Sequence, residues 1–193
     1  MTRASTGLML GFAISCTGIV PAAAQDIAAR LATCAACHGE GGVSTIAKIP
    51  SLAAQPKVFV ETQLVMIREG LREIPEMKGL LEGMSDPEIT ALAKHYAAMP
   101  PKPRPEGRID ALYDKGREIA ERSHCGSCHL PDYSGREQMP RLVGQREDYL
   151  LHSMQMFVEN RATGRDTIMA ASLYGMSGDD LKALAHFLAR AAQ

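Results

Sequence analysis

The feature that most constrains this 193-residue chain is a short pattern that occurs twice. Cys34-Ala35-Ala36-Cys37-His38 recurs 91 positions later as Cys125-Gly126-Ser127-Cys128-His129. The segments downstream of each copy recur as well. Pro50-Ser51-Leu52-Ala53-Ala54-Gln55 is matched by Pro140-Arg141-Leu142-Val143-Gly144-Gln145, and Phe59 to Leu64 by Tyr149 to Met154. Met77, with Met84-Ser85 seven residues on, is matched by Met169 with Met176-Ser177. Order and spacing are kept, so the chain is a tandem duplication. Each unit has roughly 80 residues, a size that buries little core of its own and usually needs a cofactor, metal or covalent staple. The absence of Trp and the small number of other aromatics fit a centre filled by something other than side chains.

Each unit reads as helical. Ser85-Asp86-Pro87-Glu88 and Ser177-Gly178-Asp179-Asp180 place a capping serine three residues ahead of an acid, which marks a helix start. Apolar residues then follow at helical spacing: Ile89, Leu92, Ala93 and Tyr96 in one, Leu181, Leu184, Ala185 and Leu188 in the other. A further helix is expected over roughly 57–70 and 146–160. No alternating stretch with a hairpin turn stands out, and the fold class is all-α. Four prolines between positions 100 and 105 cannot continue a helix and favour an extended connector.

Residues 1–24 read as a secretory signal. Arg3 precedes a mostly apolar run from Gly7 to Val20, and Ala22-Ala23-Ala24 supplies small residues for cleavage. The run is short for a bilayer span, which takes about 20 residues; retention as an anchor is the alternative reading. The expected organisation is therefore a signal over 1–24, one domain over 25–100, a Pro-rich linker over 101–108 and a second domain over 109–193. Without Arg3 the chain carries 20 basic and 22 acidic residues, which argues against nucleic acid as a partner.

C-x-x-C-H is the attachment pattern for c-type haem. Two thiols add across the vinyl groups, and the adjacent His is held where its imidazole can bind iron. Cys34, Cys37, Cys125 and Cys128 are thus expected to carry two covalent haem c groups, with His38 and His129 as proximal ligands. A thioredoxin-like pair would need a βαβ context. A shared zinc site would pool cysteines from separate repeats, and disulfides would leave the two histidines unexplained. For the sixth ligand, Met77 and Met169 are favoured by their equal position in both repeats. Ile74-Pro75 breaks the helical pattern just before Met77, as a ligand loop requires. Met84 and Met176 also correspond and stay open as alternatives, as do His95, His124, His152 and His186, none of which has a counterpart. Met66, Met154 and Met156 read as packing.

On these residues, together with Glu76-Met77-Lys78-Gly79 and Tyr149-Leu150-Leu151, the chain resembles a dihaem class I cytochrome c of the cytochrome c-four type over nearly its whole mature length. The resemblance implies two tandem cytochrome c domains packed about a pseudo-twofold, with Met77 and Met169 as axial ligands. It also implies Pro50 and Pro140 as the prolines whose carbonyls accept a bond from the proximal His, fixing the imidazole and tuning its basicity. The function expected is single-electron transfer in the periplasm, from a dehydrogenase or cytochrome bc complex to an acceptor such as an oxidase, with loose or anchored membrane association left open. The rival readings are a dedicated haem subunit of a flavin or quinone dehydrogenase and, further off, a dihaem peroxidase, which needs an open iron site.

Overall fold

The computed structural model describes residues 22–101 and 107–191, together with Met1. Most of the expected signal (1–24) and of the expected linker (101–108) lies outside the described residues. Among those described, all regular structure is helical, apart from an isolated bridge between Arg136 and Met139. The first repeat contains α1 (Ala22–His38), α2 (Lys57–Arg68) and α3 (Asp86–Ala97), with 3-10 turns at Glu40–Gly42 and Pro75–Met77. The second contains α4 (Asp110–Arg122), α5 (Cys125–His129), α6 (Glu147–Val158), α7 (Thr167–Ser172) and α8 (Gly178–Arg190).

The local chemistry accounts for these boundaries. Ser85 N–H donates to Glu88 Oε2 at 2.7 Å, and Ser177 N–H to Asp180 Oδ2 at 3.0 Å, so α3 and α8 begin in matching capping boxes. Such boxes satisfy N–H groups that the first helical turn leaves open. Helix α2 gives way at Gly70 (φ 71°) and α6 at Asn160 (φ 53°). Gly and Asn are the residues that most readily adopt this left-handed conformation. The repeats differ at their openings. Helix α1 runs unbroken into its cysteines, whereas His124 (φ 53°) separates α4 from the short α5.

All eight apolar positions expected to face inward on α3 and α8 are buried. In the second repeat, α8 packs along α4, and the two backbones meet at Gly116, where a Cβ would lie 2.1 Å from the Ala183 carbonyl oxygen. The T-shaped pairs of Phe187 with Tyr113 and Tyr133 fill the space beside this crossing. The first repeat has a smaller cluster: Leu81, Met84, Ile89 and Leu92, backed by Ile27 and Leu31 of α1. At about 1.5–3 kcal/mol for each fully buried large aliphatic side chain, that cluster contributes less to stability than its counterpart in the second repeat.

The repeats face each other through the two segments of sequence they share. Gln55 Nε2 donates to the Arg141 carbonyl at 3.0 Å, and Arg141 N–H donates back to Gln55 Oε1 at 3.0 Å. Gln145 does the same to Ser51, with both bonds at 2.8 Å. Gln55 and Gln145 occupy equivalent positions, as do Ser51 and Arg141, so the contact is a pseudo-twofold exchange. Lys48 N–H to Asp148 Oδ2 (2.9 Å) and Arg146 Nη1 to the Ser44 carbonyl (3.2 Å) extend it. A second approach brings Gly164 against the Leu71 carbonyl, where a Cβ would come within 2.1 Å.

Two candidate haem-attachment sites

Cys34 and Cys37 lie in the last turns of α1, Cys125 and Cys128 in the short α5, and the backbone then turns sharply in the same way in both repeats. Gly39 has φ 82° and ψ 152°; its counterpart Leu130 has φ 69° and ψ 156°. Three residues on, Gly42 (φ 70°) is matched by Tyr133 (φ 56°). The second repeat therefore holds two bulky residues in a conformation that ordinarily belongs to glycine. The turn brings the carbonyl of Gly42 to the Leu52 and Ala53 N–H groups (2.7 and 3.0 Å). Tyr133 likewise receives Leu142 and Val143 (2.9 and 3.2 Å). These bonds carry the two Pro-led segments back to the histidines.

At both sites the outcome is one geometry. His38 Nδ1 lies 2.9 Å from the Pro50 carbonyl oxygen, and His129 Nδ1 lies 2.9 Å from that of Pro140. A carbonyl only accepts, so Nδ1 carries the proton and Nε2 keeps its lone pair. Among the described residues, no hydrogen bond engages Nε2 of either histidine. Burial pulls both imidazoles below their ordinary pKa, partly offset by the proline bond. Each ring is thus a neutral, oriented donor for a metal. The four cysteines are free of disulfides, and in each pair the first is half-buried and the second exposed. Burial raises the pKa of Cys34 and Cys125. Cys128 lines a cleft of about 410 Å³ with Arg136, Glu137, Gln138, Met139 and, from the first repeat, Val58.

The methionines divide as their positions dictate. Met77 ends the 3-10 turn after Ile74 and is half-buried against the first core. Met169 is likewise half-buried against the second core, but it sits on α7 and not in a loop. Asp166 caps that short helix, its Oδ1 accepting from Ile168 N–H at 2.8 Å. Met84 is a core side chain, 3% exposed; Met176 packs half-buried. Of the other histidines, His186 is buried with both ring nitrogens engaged. Its Nε2 accepts from Ile109 N–H at 3.0 Å, and its Nδ1 meets Glu147 at 3.2 Å.

One buried polar atom has no partner among the described residues. It is Nη2 of Arg141, whose side chain lines a small cavity between the repeats. Burial lowers the pKa of that guanidinium, against a smaller opposing pull from Asp132. A guanidinium nitrogen buried without a hydrogen-bond acceptor is costly, and a haem brings two propionates. The free thiols, the oriented imidazoles, the cleft at Cys128 and this orphaned cation all fit the group. Sequence reasoning did not assign Gln55, Gln145 or Arg141 a role. The signal was present, since a glutamine recurs at one position of both repeats, where solvent alone would not require it.

Two helical units, each with C-x-x-C-H closing a helix and its histidine bonded to a proline carbonyl, define a two-domain c-type cytochrome of class I. Comparison with known proteins agrees. Residues 21–95 match the family model of the cbb3-type cytochrome c oxidase subunit III, and residues 113–192 that of cytochrome c. Cytochrome c4 of Pseudomonas aeruginosa is 30% identical over 89% of this chain and 91% of its own length. The thiosulfate dehydrogenase electron acceptor of Thiomonas intermedia is 30% identical over 82% of this chain and 78% of its own. The crystal structure of reduced recombinant cytochrome c4 from Pseudomonas stutzeri superposes with a TM-score of 0.78 at 27% identity. It covers 88% of this chain and 98% of that one. The chain belongs to the cytochrome c4 family: it is a dihaem electron-transfer cytochrome, with two covalently bound haem c groups.

Proposed function

We propose that this protein receives single electrons from a donor protein in the periplasm and passes them to an acceptor such as an oxidase. Cys34 and Cys37 in the domain over 25–100, and Cys125 and Cys128 in that over 109–193, hold the two groups. His38 with Met77, and His129 with Met169, would bind the two irons. The observation that carries the reading is the duplicated geometry at the histidines, Nδ1 at 2.9 Å from a proline carbonyl in both units. That bond orients each ring, fixes its tautomer and raises its basicity. When bound, haem supplies a one-electron iron couple, whose ferrous form is favoured by a thioether ligand.

The chain's own residues do the rest. Pro50 and Pro140 stop the imidazoles from turning. Met77 and Met169, each anchored on its core, need no large movement between oxidation states. Arg141 would offer its unpartnered Nη2 to a propionate. Passage through the periplasm follows from the signal read over residues 1–24, and among the described residues no helix is long and apolar enough to cross a membrane.

The test is a visible spectrum with redox titration of the matured protein. It should show two c-type haems per chain and a sulfur-to-iron charge-transfer band in the oxidised form. Met77→Ala and Met169→Ala should each remove about half of that band. If the band survives both substitutions, the ligand assignment falls; a colourless, iron-free preparation ends the reading altogether.

A second reading, a haem subunit dedicated to one dehydrogenase, is favoured by the similarity to thiosulfate dehydrogenase electron acceptors. Stable stoichiometric copurification with such an enzyme would support it; free diffusion as a lone chain supports the carrier.

A further inference from the structure

The interface between the repeats touches each histidine site at one peptide group. The Pro140 carbonyl that accepts from His129 Nδ1 and the Arg141 N–H that donates to Gln55 Oε1 belong to a single peptide unit. The same holds for the Pro50 carbonyl, bonded to His38, and the Ser51 N–H, bonded to Gln145 Oε1. Each proximal histidine is therefore joined, through one amide, to a glutamine of the other domain. Gln55 and Gln145 are both 5% exposed, so little water competes for their bonds. Their orientation is settled by the partners: with a carbonyl on one side and an N–H on the other, only one placement of each side-chain amide satisfies both.

We propose that Gln55 and Gln145 are positioning residues that tune the haem of the opposite domain through this amide. The proposal rests on His38 and His129 being the proximal ligands. A peptide whose N–H is engaged by an acceptor carries more negative charge on its oxygen, because hydrogen bonds in series polarise one another. The proline carbonyl then draws more strongly on the imidazole Nδ1–H, and the ring becomes the more basic donor. A more basic ring favours the ferric state. Each glutamine therefore lowers the potential of the site across the interface, not of the one in its own domain. A separation or rotation of the two domains, as on docking a partner, would release both bonds and raise both potentials together.

The crossed pattern distinguishes this role from simple glue. In Gln55→Leu, the potential of the haem at Cys125 and Cys128 should rise, seen as a few-fold rise in its reduced-to-oxidised ratio at fixed poise, while that at Cys34 and Cys37 stays. In reduced protein, the His129 Nδ1–H proton resonance should move to higher field and that of His38 should not. Gln145→Leu should give the mirror image. Gln55→Glu keeps an acceptor opposite the Arg141 N–H and should not raise the potential. If the leucine variant does not fold, Gln55→Ala must give the same crossed shift. Shifts at both haems alike, at the haem of the same domain, or at neither would overturn the proposal. A preparation with both His/Met haems intact but no crossed shift refutes this inference alone. Unsubstituted protein in which the haem iron is not bound by His38 and His129, with no Nδ1–H resonance from either ring shifted by the iron, would instead refute the ligand reading beneath it.

Discussion

Gly116 offers the sharpest test of how the second domain holds together, because local and tertiary physics disagree there on the sign. In an isolated helix, replacing glycine by alanine is worth about 1 kcal/mol in favour of alanine. In this fold the added methyl would lie 2.1 Å from the Ala183 carbonyl oxygen and 2.6 Å from Phe187 Cβ. Carbon contacts settle near 3.5–4.0 Å, so α4 and α8 would have to part by about 1 Å. The face that would lift includes Ala183, Leu184, Phe187 and Leu188, all at most 5% exposed. Overpacking of this kind costs about 1–3 kcal/mol and sometimes more. The clashing atoms are backbone or Cβ and cannot swing aside, so about 2–3 kcal/mol of that range applies; less the propensity gain of about 1 kcal/mol, a net loss of about 1–2 kcal/mol is expected. For a unit of this size that lowers Tm by about 5–15 °C. The assay is thermal unfolding of the oxidised holoprotein, followed by far-ultraviolet circular dichroism and by Soret absorbance. Gly178→Ala, at the first residue of α8 with nothing within 4 Å of the new methyl, serves as the control and should hold or raise Tm. If Gly116→Ala matches that control, the close crossing is not what sets the geometry of this domain.

Asp180 is held below the ordinary carboxylate range, chiefly by Lys115 and then by Ser177. A depressed carboxylate stabilises the fold above its unfolded pKa, and that contribution fades as pH falls through the folded value. The acid-side decline in Tm should therefore be shallower in Asp180→Asn than in the parent; an unchanged slope would refute the linkage. Arg141→Leu keeps the backbone that Gln55 reads but removes the partly buried guanidinium. One of the two haem potentials should fall on redox titration, whereas unchanged potentials with a raised Tm would show that the cation has no anionic partner.

Much of the site was legible in the chain alone because covalent attachment demands a fixed short pattern. Thiols two residues apart and a histidine immediately after must be local in sequence to be local in space. The inward faces of α3 and α8 were legible for a similar reason, since a helix places Ile89, Leu92, Ala93 and Tyr96 on one side whatever it packs against. Met169 shows where such reading stops. Its equivalence to Met77 was plain, but its place on a capped helix depends on Asp166 and the local turn, which the first repeat does not share. The positive φ of Leu130 and Tyr133 was also out of reach, because their residue types argue against it and only the surrounding bonds impose it.

Sequence alone determined the duplication, the helical class and the presence of two C-x-x-C-H motifs, because periodicity and covalent chemistry act over a few residues. Only the tertiary structure decided that Gln55 and Gln145 reach across to the peptides behind His129 and His38, and that Arg141 lines the cavity between the repeats. Those contacts join residues some 90 positions apart. They depend on how two finished domains meet, a property that no local spacing encodes.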